Sequence, residues 1–285
     1  MSIVVTGASG QLGRLTVEAL LRRGVPASDI VATSRDTTRL KELADRGVVV
    51  RRADFADPDS LAAAFAGADR LLLISTTTVD ERVANHRRAI DAAVAAGVQL
   101  VAYTSMSHAD TATTILAATH RATEEYLRER AVPSVLLRNS WYLENYTGRL
   151  PQILRENTLV GAAGRGRISA AARADYADAA ATVLTTEGHA GRVYELGGDE
   201  AFTLAGLAAA LSTAAGRQVT YTDLAADAFA HALTDAGLPA ELAGVLADAD
   251  LGMSRDELLT TSGDLRRLIG RPTTPLADAI ADALR

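Results

Sequence analysis

The chain predicts an α/β fold: a doubly wound parallel sheet with helices on both faces and a smaller, mainly helical C-terminal lobe. Three observations lead there. Short aliphatic or β-branched runs alternate with longer amphipathic segments through the first half. Those runs are almost continuously apolar, as strands covered on both faces must be. The first of them passes directly into glycines at positions 7, 10 and 13, with a helical pattern behind them.

Taken in order, Ile3-Val4-Val5 forms the first strand and an amphipathic segment near 12–23 the first helix. Strands at 30–32, 48–50, 71–74, 100–103 and 135–137 follow, with helical segments near 37–46, 59–66, 81–96 and 115–130 between them. Residues 139–172 are glycine-rich and irregular, whereas 173–186 and 192–196 have the pattern of another helix and strand. From about 197 the chain is rich in Ala, Leu and Asp and mostly helical. The expected division is therefore a first domain over 1–138, to which 173–196 returns, and a smaller lobe from 139–172 and 197–285. Ligands of doubly wound sheets bind outside the carboxyl ends of the strands. Here those ends read Thr6-Gly7, Ser34-Arg35, Asp54-Phe55, Ser75-Thr76, Thr104-Ser105 and Asn139-Ser140.

Composition narrows the function. A net charge of −6 with a single lysine, Lys41, argues against a nucleic-acid partner, which would call for clustered cations. No run of 18 apolar residues occurs, and the N-terminus enters a strand without a basic flank and apolar leader, so a soluble, cytoplasmic protein without a membrane partner is expected. With no cysteine, disulfides and thiolate chemistry are ruled out, and the five histidines form no metal-binding pair. No metal is expected.

The segment Gly7-Ala8-Ser9-Gly10-Gln11-Leu12-Gly13 follows a strand and opens a helix, the context that makes a glycine pattern a dinucleotide-binding (Rossmann) fingerprint. Gly7 permits the tight turn, Gly10 admits the pyrophosphate and Gly13 lets helix and strand approach. Free amides at the helix start would face the anion. An NAD site places an acidic residue about 20 positions later, whereas an arginine there accommodates a 2′-phosphate. The second strand ends Thr33-Ser34-Arg35-Asp36. Arg35 can pair with phosphate bidentately, which favours NADP(H). The alternative is that Arg35 is solvated and Asp36 caps the next helix.

Eight stretches carry a family likeness, the glycine loop among them: "TGASGQLG", "RRADFADPDSL", "LLLIST", "NHRRAIDAAVAAGV", "AYTSMSHADT", "LLRNSWYLENY", "GAAGRGRISAAARADYADAAA" and "VYELGGDEAFTLAGLAAAL". With them the chain resembles, over nearly its whole length, the atypical short-chain dehydrogenases of the NmrA-like group, and within it the bacterial type 2 NAD(P)H:quinone oxidoreductases. The resemblance implies NADPH binding and quinone reduction in a cleft facing the C-terminal lobe. It makes Gly7, Ser9, Gly10, Gln11, Leu12 and Gly13 the pyrophosphate loop and sets Arg35 on the adenosine phosphate. It also places Asp54 and Phe55 near the adenine, Ser75 and Thr76 near the nicotinamide ribose, and Tyr103, Thr104 and Ser105 beside the nicotinamide. Tyr103 is equally well explained as a core aromatic of a buried strand.

Ordinary short-chain dehydrogenases use a Tyr-x-x-x-Lys pair whose ammonium lowers the phenol pKa. That pair is impossible here, because Thr37 stands four before Lys41. By resemblance, His120 occupies about the place of the lysine in isoflavone-reductase-like relatives. Tyr103 and His120 are the catalytic candidates; an ordinary imidazole pKa near 6.5 would let His120 donate a proton. A surface histidine on an amphipathic helix is the competing explanation. A quinone is electrophilic and gains aromaticity on reduction, so orientation in a dry cleft matters more than a strong acid.

Asn139-Ser140-Trp141-Tyr142-Leu143-Glu144-Asn145-Tyr146 holds the only tryptophan and two tyrosines. Trp141, Tyr142, Asn145 and Tyr146 are candidates for a substrate wall suited to a flat ring, with packing between the lobes as the alternative. Asn139 or Asn145 would bind a carbonyl or the carboxamide. Gly161 to Gly166 reads as a turn near the cleft or a ligand-free hairpin, and Arg173 with Asp175 as a structural pair or cap. The expected activity is hydride transfer from NADPH to a small aromatic or quinone acceptor by a monomer or homodimer. Alternatives are a non-catalytic NADP(H)-binding redox sensor and a reductase acting on another enone, an imine or a polyketide.

Overall fold

In the computed structural model, which describes residues 1–285, the first half comprises β1 (Ile3–Val5), α1 (Gln11–Arg22), β2 (Ile30–Ser34), α2 (Lys41–Asp45), β3 (Val49–Arg52), α3 (Pro58–Phe65), β4 (Arg70–Leu73), α4 (Val79–Ala95), β5 (Leu100–Met106), α5 (Ile115–Glu129) and β6 (Ser134–Asn139). The second half adds α6 (Glu144–Thr147), α7 (Leu150–Glu156), β7 (Thr158–Gly161), α8 (Arg173–Thr185), β8 (Val193–Leu196), α9 (Leu204–Ala215), β9 (Thr220–Asp223), α10 (Ala226–Asp235), α11 (Ala240–Ser254), α12 (Asp264–Ile269) and α13 (Leu276–Leu284).

Seven strands form one sheet in the order β3-β2-β1-β4-β5-β6-β8, and every pairing is parallel. Strand order reverses at β1, so a crevice opens at the carboxyl ends of β1 and β4. Alternate side chains feed two cores, as the two-residue period of a strand requires. Ile3, Val5, Ala32, Leu72 and Ala102 face α1 and α8, packing with Leu20, Tyr176 and Val183. Val4, Val31, Leu71, Val101 and Tyr103 face α3, α4 and α5, packing with Leu61, Phe65, Ile90 and Leu127. No helix is long and apolar enough to cross a membrane.

Several boundaries differ from the sequence expectation. β5 continues through the polar Thr104 and Ser105 to Met106, because those residues pair with Leu137, Arg138 and Asn139 of β6. The 37–46 segment is a 3-10 turn over Thr37–Leu40 followed by the five-residue α2. Asp36 caps that turn, its Oδ1 accepting from the Thr38 amide at 3.0 Å. Residues 139–172 are not irregular: they contain α6, α7 and β7, and β7 pairs in parallel with β9, which excludes a hairpin at Gly161–Gly166.

A separate core joins Leu204, Leu207 and Leu211 of α9 to Ile153, Leu159, Met253 and Ile280. Met106, Leu143 and Tyr146 also belong to it, so the loops after β5 and β6 are buried under this lobe. Not all of 197–285 lies there, since Leu265 of α12 packs into the α1–α8 core. The 161–164 loop is held by two carboxylates: the Ala162 amide donates to Asp250 Oδ2 at 2.7 Å and the Gly164 amide to Asp223 Oδ1 at 2.8 Å.

Asp250 is buried, and desolvation lifts its carboxyl pKa to about 6 despite the Ala162 bond and the pull of Arg149. The folded pKa exceeds the unfolded one, so the folded state holds an extra proton through the window from about pH 4 to 6. The stability this proton confers is present below that window and lost as pH rises through it. Asp250→Asn keeps an acceptor for Ala162 and removes the buried charge. Urea unfolding should show this variant more stable than the parent by roughly 2–3 kcal/mol near pH 8, with the gap closing near pH 4. A less stable variant at the higher pH would overturn the assignment.

Candidate active site

The loop after β1 is shaped by backbone constraints before any side chain enters. Gly7 takes φ +59°, a left-handed conformation that favours glycine. A Cβ on Gly13 would lie 2.4 Å from the Gly7 carbonyl oxygen, so α1 can begin this close to β1 only with glycine there. The Ala8 amide donates to Thr33 O at 2.9 Å and the Gly10 amide to Gly7 O at 2.9 Å, which fixes the turn. No side chain caps α1, its first turn carries no acidic residue, and the amides of Gln11, Leu12 and Gly13 find no acceptor within the chain. These amides and the positive end of the helix dipole form an anion cradle.

The carboxyl end of β2 adjoins this cradle. Ser34 Oγ donates to Ser9 Oγ at 2.9 Å, tying the two loops together. Arg35 is exposed and makes no ion pair or hydrogen bond within the chain, although Asp36 does cap the next turn. Leu12 is buried in the core, so it can offer a ligand only its amide. Asp54 Oδ1 accepts from the Ala56 amide at 3.0 Å, and Phe55 is half-buried, edge-on to His86 with ring centres 6.4 Å apart.

Between β1 and β4, Thr6 is the linchpin: its hydroxyl donates to Leu72 O at 3.0 Å and accepts from the Ile74 amide at 2.9 Å. Thr104 Oγ1 accepts from the Ser75 amide at 2.9 Å, so this hydroxyl ties strand ends together. Of the four buried side-chain polar atoms without a partner, three follow or end strands at this edge: Thr76 Oγ1 after β4, Ser107 Oγ after β5 and Asn139 Oδ1 at the end of β6. Buried polar groups are normally satisfied, and an aligned row of unsatisfied ones marks a place where a polar ligand fits. With the cradle and the free Arg35, these residues fit a phosphorylated dinucleotide laid along the carboxyl edge.

Two side chains expected beside the nicotinamide point away from the carboxyl edge. Ser105 Oγ donates to Glu124 Oε1 at 2.6 Å, and Tyr103 is wholly buried, because odd-numbered side chains of β5 turn into the α4–α5 face. Tyr103 thus has no surface to touch coenzyme or substrate directly. Its hydroxyl instead lies 2.7 Å from His120 Nδ1, and burial pushes its pKa up. His120 is not a surface residue: only 6% of it is exposed. Burial, with the charge of Arg82, holds its pKa well below the ordinary value, so at neutral pH it is an uncharged imidazole rather than an acid poised near 6.5.

Arg82 and His86, one helical turn apart on α4, were not singled out from the sequence although "NHRR" contains one of them. Arg82 is buried, donating from Nε to Thr76 O at 3.0 Å and from Nη1 to Thr119 Oγ1 at 2.9 Å, with no carboxylate partner. Its guanidinium pKa is lowered by that burial.

The aromatic segment after β6 divides. Tyr146 is buried in the lobe core, in line with the packing alternative, with its hydroxyl left unpartnered. Tyr142 packs edge-on to Tyr176 at 5.4 Å and lies under the Arg173 guanidinium at 4.7 Å. Asn145 Oδ1 accepts from Arg173 Nη2 at 2.9 Å. Trp141 is half-buried, and Asn139 reaches Tyr142 OH at 3.4 Å. Arg173 and Asp175 are not a pair: Arg173 bonds to the Gln11 side chain, whereas Asp175 accepts from Arg271 Nη1 at 2.7 Å and from the Thr274 amide at 2.8 Å. Arg173 therefore links the phosphate loop to the aromatic wall. A lone Arg-x-Asp in the sequence could not reveal a partner 162 residues away.

Fold and site together define a dinucleotide-binding α/β protein with a polar, aromatic-edged cleft at the switch point of its sheet. Residues 1–251 match the model of the NmrA-like family, and the chain belongs to that family. It is 48% identical over 279 residues to quinone oxidoreductase 2 of Escherichia coli (strain K12), covering 98% of this chain and 97% of that protein. The crystal structure of an NADPH-dependent quinone oxidoreductase from E. coli complexed with NADPH superposes with a TM-score of 0.96 at 47% identity, over 99% of this chain and all of that one. Triphenylmethane reductase of Citrobacter sp., complexed with NADP(H), gives a TM-score of 0.93 at 37% identity over 99% of this chain and all of that one.

Arg35→Ala should weaken NADPH binding by roughly 10- to 100-fold, the worth of a charged hydrogen-bond pair, while changing NADH binding less than about twofold. Equal losses for both coenzymes in fluorescence titrations would remove Arg35 from the 2′-phosphate. Gly13→Val should abolish binding of either coenzyme, because its Cβ cannot fit beneath the Gly7 carbonyl; retained affinity would refute the cradle.

Proposed function

We propose that this chain is an NADPH-dependent oxidoreductase that reduces a quinone-like acceptor. The observation that carries the proposal is the meeting, on one sheet edge, of the uncapped α1 amides with the unpartnered polar atoms after β4, β5 and β6. The similarity to quinone oxidoreductase 2 supports the choice of acceptor. When bound, NADPH supplies a hydride equivalent.

The chain's own residues bind, orient and polarise. Amides of Gln11, Leu12 and Gly13 hold pyrophosphate, and Arg35 holds the adenosine phosphate. Thr76, Ser107 and Asn139 offer polar atoms near the reacting end. Trp141, on the lobe side, can flank a flat acceptor ring. Reduction of a neutral quinone builds negative charge on its oxygen, and the uncompensated Arg82 guanidinium favours that charge in a poorly solvated site. Neutral His120 does not act as a strong acid, so the final proton comes from solvent.

Loss of the nicotinamide absorbance band on mixing NADPH with benzoquinone is the expected result, with NADH a poorer donor. Tight NADPH binding without oxidation by a panel of quinones would discard the enzymatic proposal in favour of a redox sensor. Arg82→Gln, which keeps a donor to Thr76 O, is expected to lower kcat by about tenfold or more with little change in the KM for NADPH, since it removes the charge that stabilises the developing anion.

A further inference from the structure

Beneath the cleft runs a chain of buried hydrogen bonds whose directions can be worked out one by one. It starts at the Thr76 backbone amide, which can only donate, and which meets His86 Nε2 at 3.1 Å. Nε2 of His86 must therefore be an unprotonated acceptor. Burial and the Arg82 charge lower the pKa of His86 to about 3, so the ring is neutral and its one proton sits on Nδ1. That N–H has Thr123 Oγ1 at 3.0 Å, and the Thr123 hydroxyl in turn donates to Thr119 O at 3.1 Å.

Tyr103 stands between the two histidines. Its hydroxyl has His86 Nδ1 at 3.5 Å on one side and His120 Nδ1 at 2.7 Å on the other. The His86 nitrogen already carries a proton and cannot accept, so the phenol donates to His120. Because burial raises its pKa, the phenol keeps its proton at neutral pH. His120 Nδ1 is thereby the acceptor, and its neutral ring holds the proton on Nε2. Nε2 makes no hydrogen bond within the chain and is not among the fully buried unpartnered atoms, so its N–H is left free to donate to a ligand. His120 lies next to Thr119, which is bonded to Arg82, and Arg82 is bonded to Thr76 at the end of β4.

We propose that His86 and Tyr103 are positioning residues that lock His120 as a neutral imidazole with its Nε2–H presented to the acceptor oxygen. The inference rests on the proposed quinone reduction. His120 then donates a hydrogen bond to the oxygen on which negative charge grows, and no proton leaves the ring. The hydride adds to the acceptor, the resulting anion stays hydrogen-bonded to Nε2–H, and solvent supplies the proton that completes the hydroquinone. Tyr103 and His86 touch neither substrate nor coenzyme; they act only through the tautomer.

Two measurements test this on the full chain with NADP+ bound. In long-range 1H–15N spectra of 15N-labelled protein at neutral pH, His120 should show the neutral Nε2–H pattern and His86 the Nδ1–H pattern, with His120→Gln used for assignment. An Nδ1–H or imidazolium pattern for His120 would overturn the proposal, and this readout stands even if no quinone is reduced. In steady-state kinetics, His120→Ala should lower kcat about 100-fold with NADPH KM nearly unchanged, the cost of removing one oxyanion donor. His120→Gln keeps a neutral N–H donor and no titratable proton, and should recover most of that loss. If Gln is as impaired as Ala, His120 is a proton donor and the proposal fails. Tyr103→Phe should mix the two His120 tautomers and lower kcat several-fold; an unchanged tautomer would remove Tyr103 from the role. If the parent protein oxidises no NADPH with quinone while the tautomers are as stated, the function is wrong and the positioning right.

Discussion

The parallel register of the sheet is the constraint on which everything else depends. With β1 between β2 and β4 and all strands running the same way, the ends of β1, β2, β4, β5 and β6 come to one edge. Parallel ladders leave no free choice about which end carries the connecting loops, so the glycine turn, Arg35 and Thr76 have to share that edge. Thr6 secures the central join, since one buried hydroxyl serves both a carbonyl and an amide of the neighbouring strand's end. The steric limit at Gly13 then brings the start of α1 against β1 and leaves its amides free.

Two buried arginines show how differently the fold treats charge. Arg138 on β6 is matched by Glu124, Glu195 and Asp110 at 2.7–3.0 Å, and this network joins β6 and β8 to α5. Removing Arg138 would leave the buried Glu124 carboxylate uncompensated, so the role of the cluster is architectural. Arg82 has only a carbonyl and a hydroxyl as partners. A buried cation without a counter-ion is costly, and its position beside the carboxyl edge gives that cost a purpose in binding or forming an anion. The same charge helps keep His86 and His120 neutral.

The lobe covers this edge on the β5–β6 side. Met106, Leu143 and Tyr146 anchor it, so aromatic residues expected to face a substrate are partly spent on packing. Arg173 stitches the remaining wall to the phosphate loop through Gln11, Asn145 and the face of Tyr142. A coenzyme entering the loop and an acceptor meeting the wall would therefore both be felt by one guanidinium.

What could be read from residues alone was what local rules govern. Apolar runs of strand length, amphipathic segments and glycines at 7, 10 and 13 determine an alternating α/β chain and a phosphate loop, because a strand's burial and a turn's φ depend on immediate neighbours. Arg35 at the end of the second strand was legible for the same reason. The tertiary structure alone decided which way the polar residues after Ala102 point, since strand alternation sends Tyr103 and Ser105 into the helical face and Thr104 to the other. It also decided that His120 is buried and neutral, that Arg82 lacks a counter-ion and that Arg173 serves Gln11 rather than Asp175. Those are long-range electrostatic and packing relations, and no spacing along the chain encodes the dielectric around a group or the partner that another element brings to it.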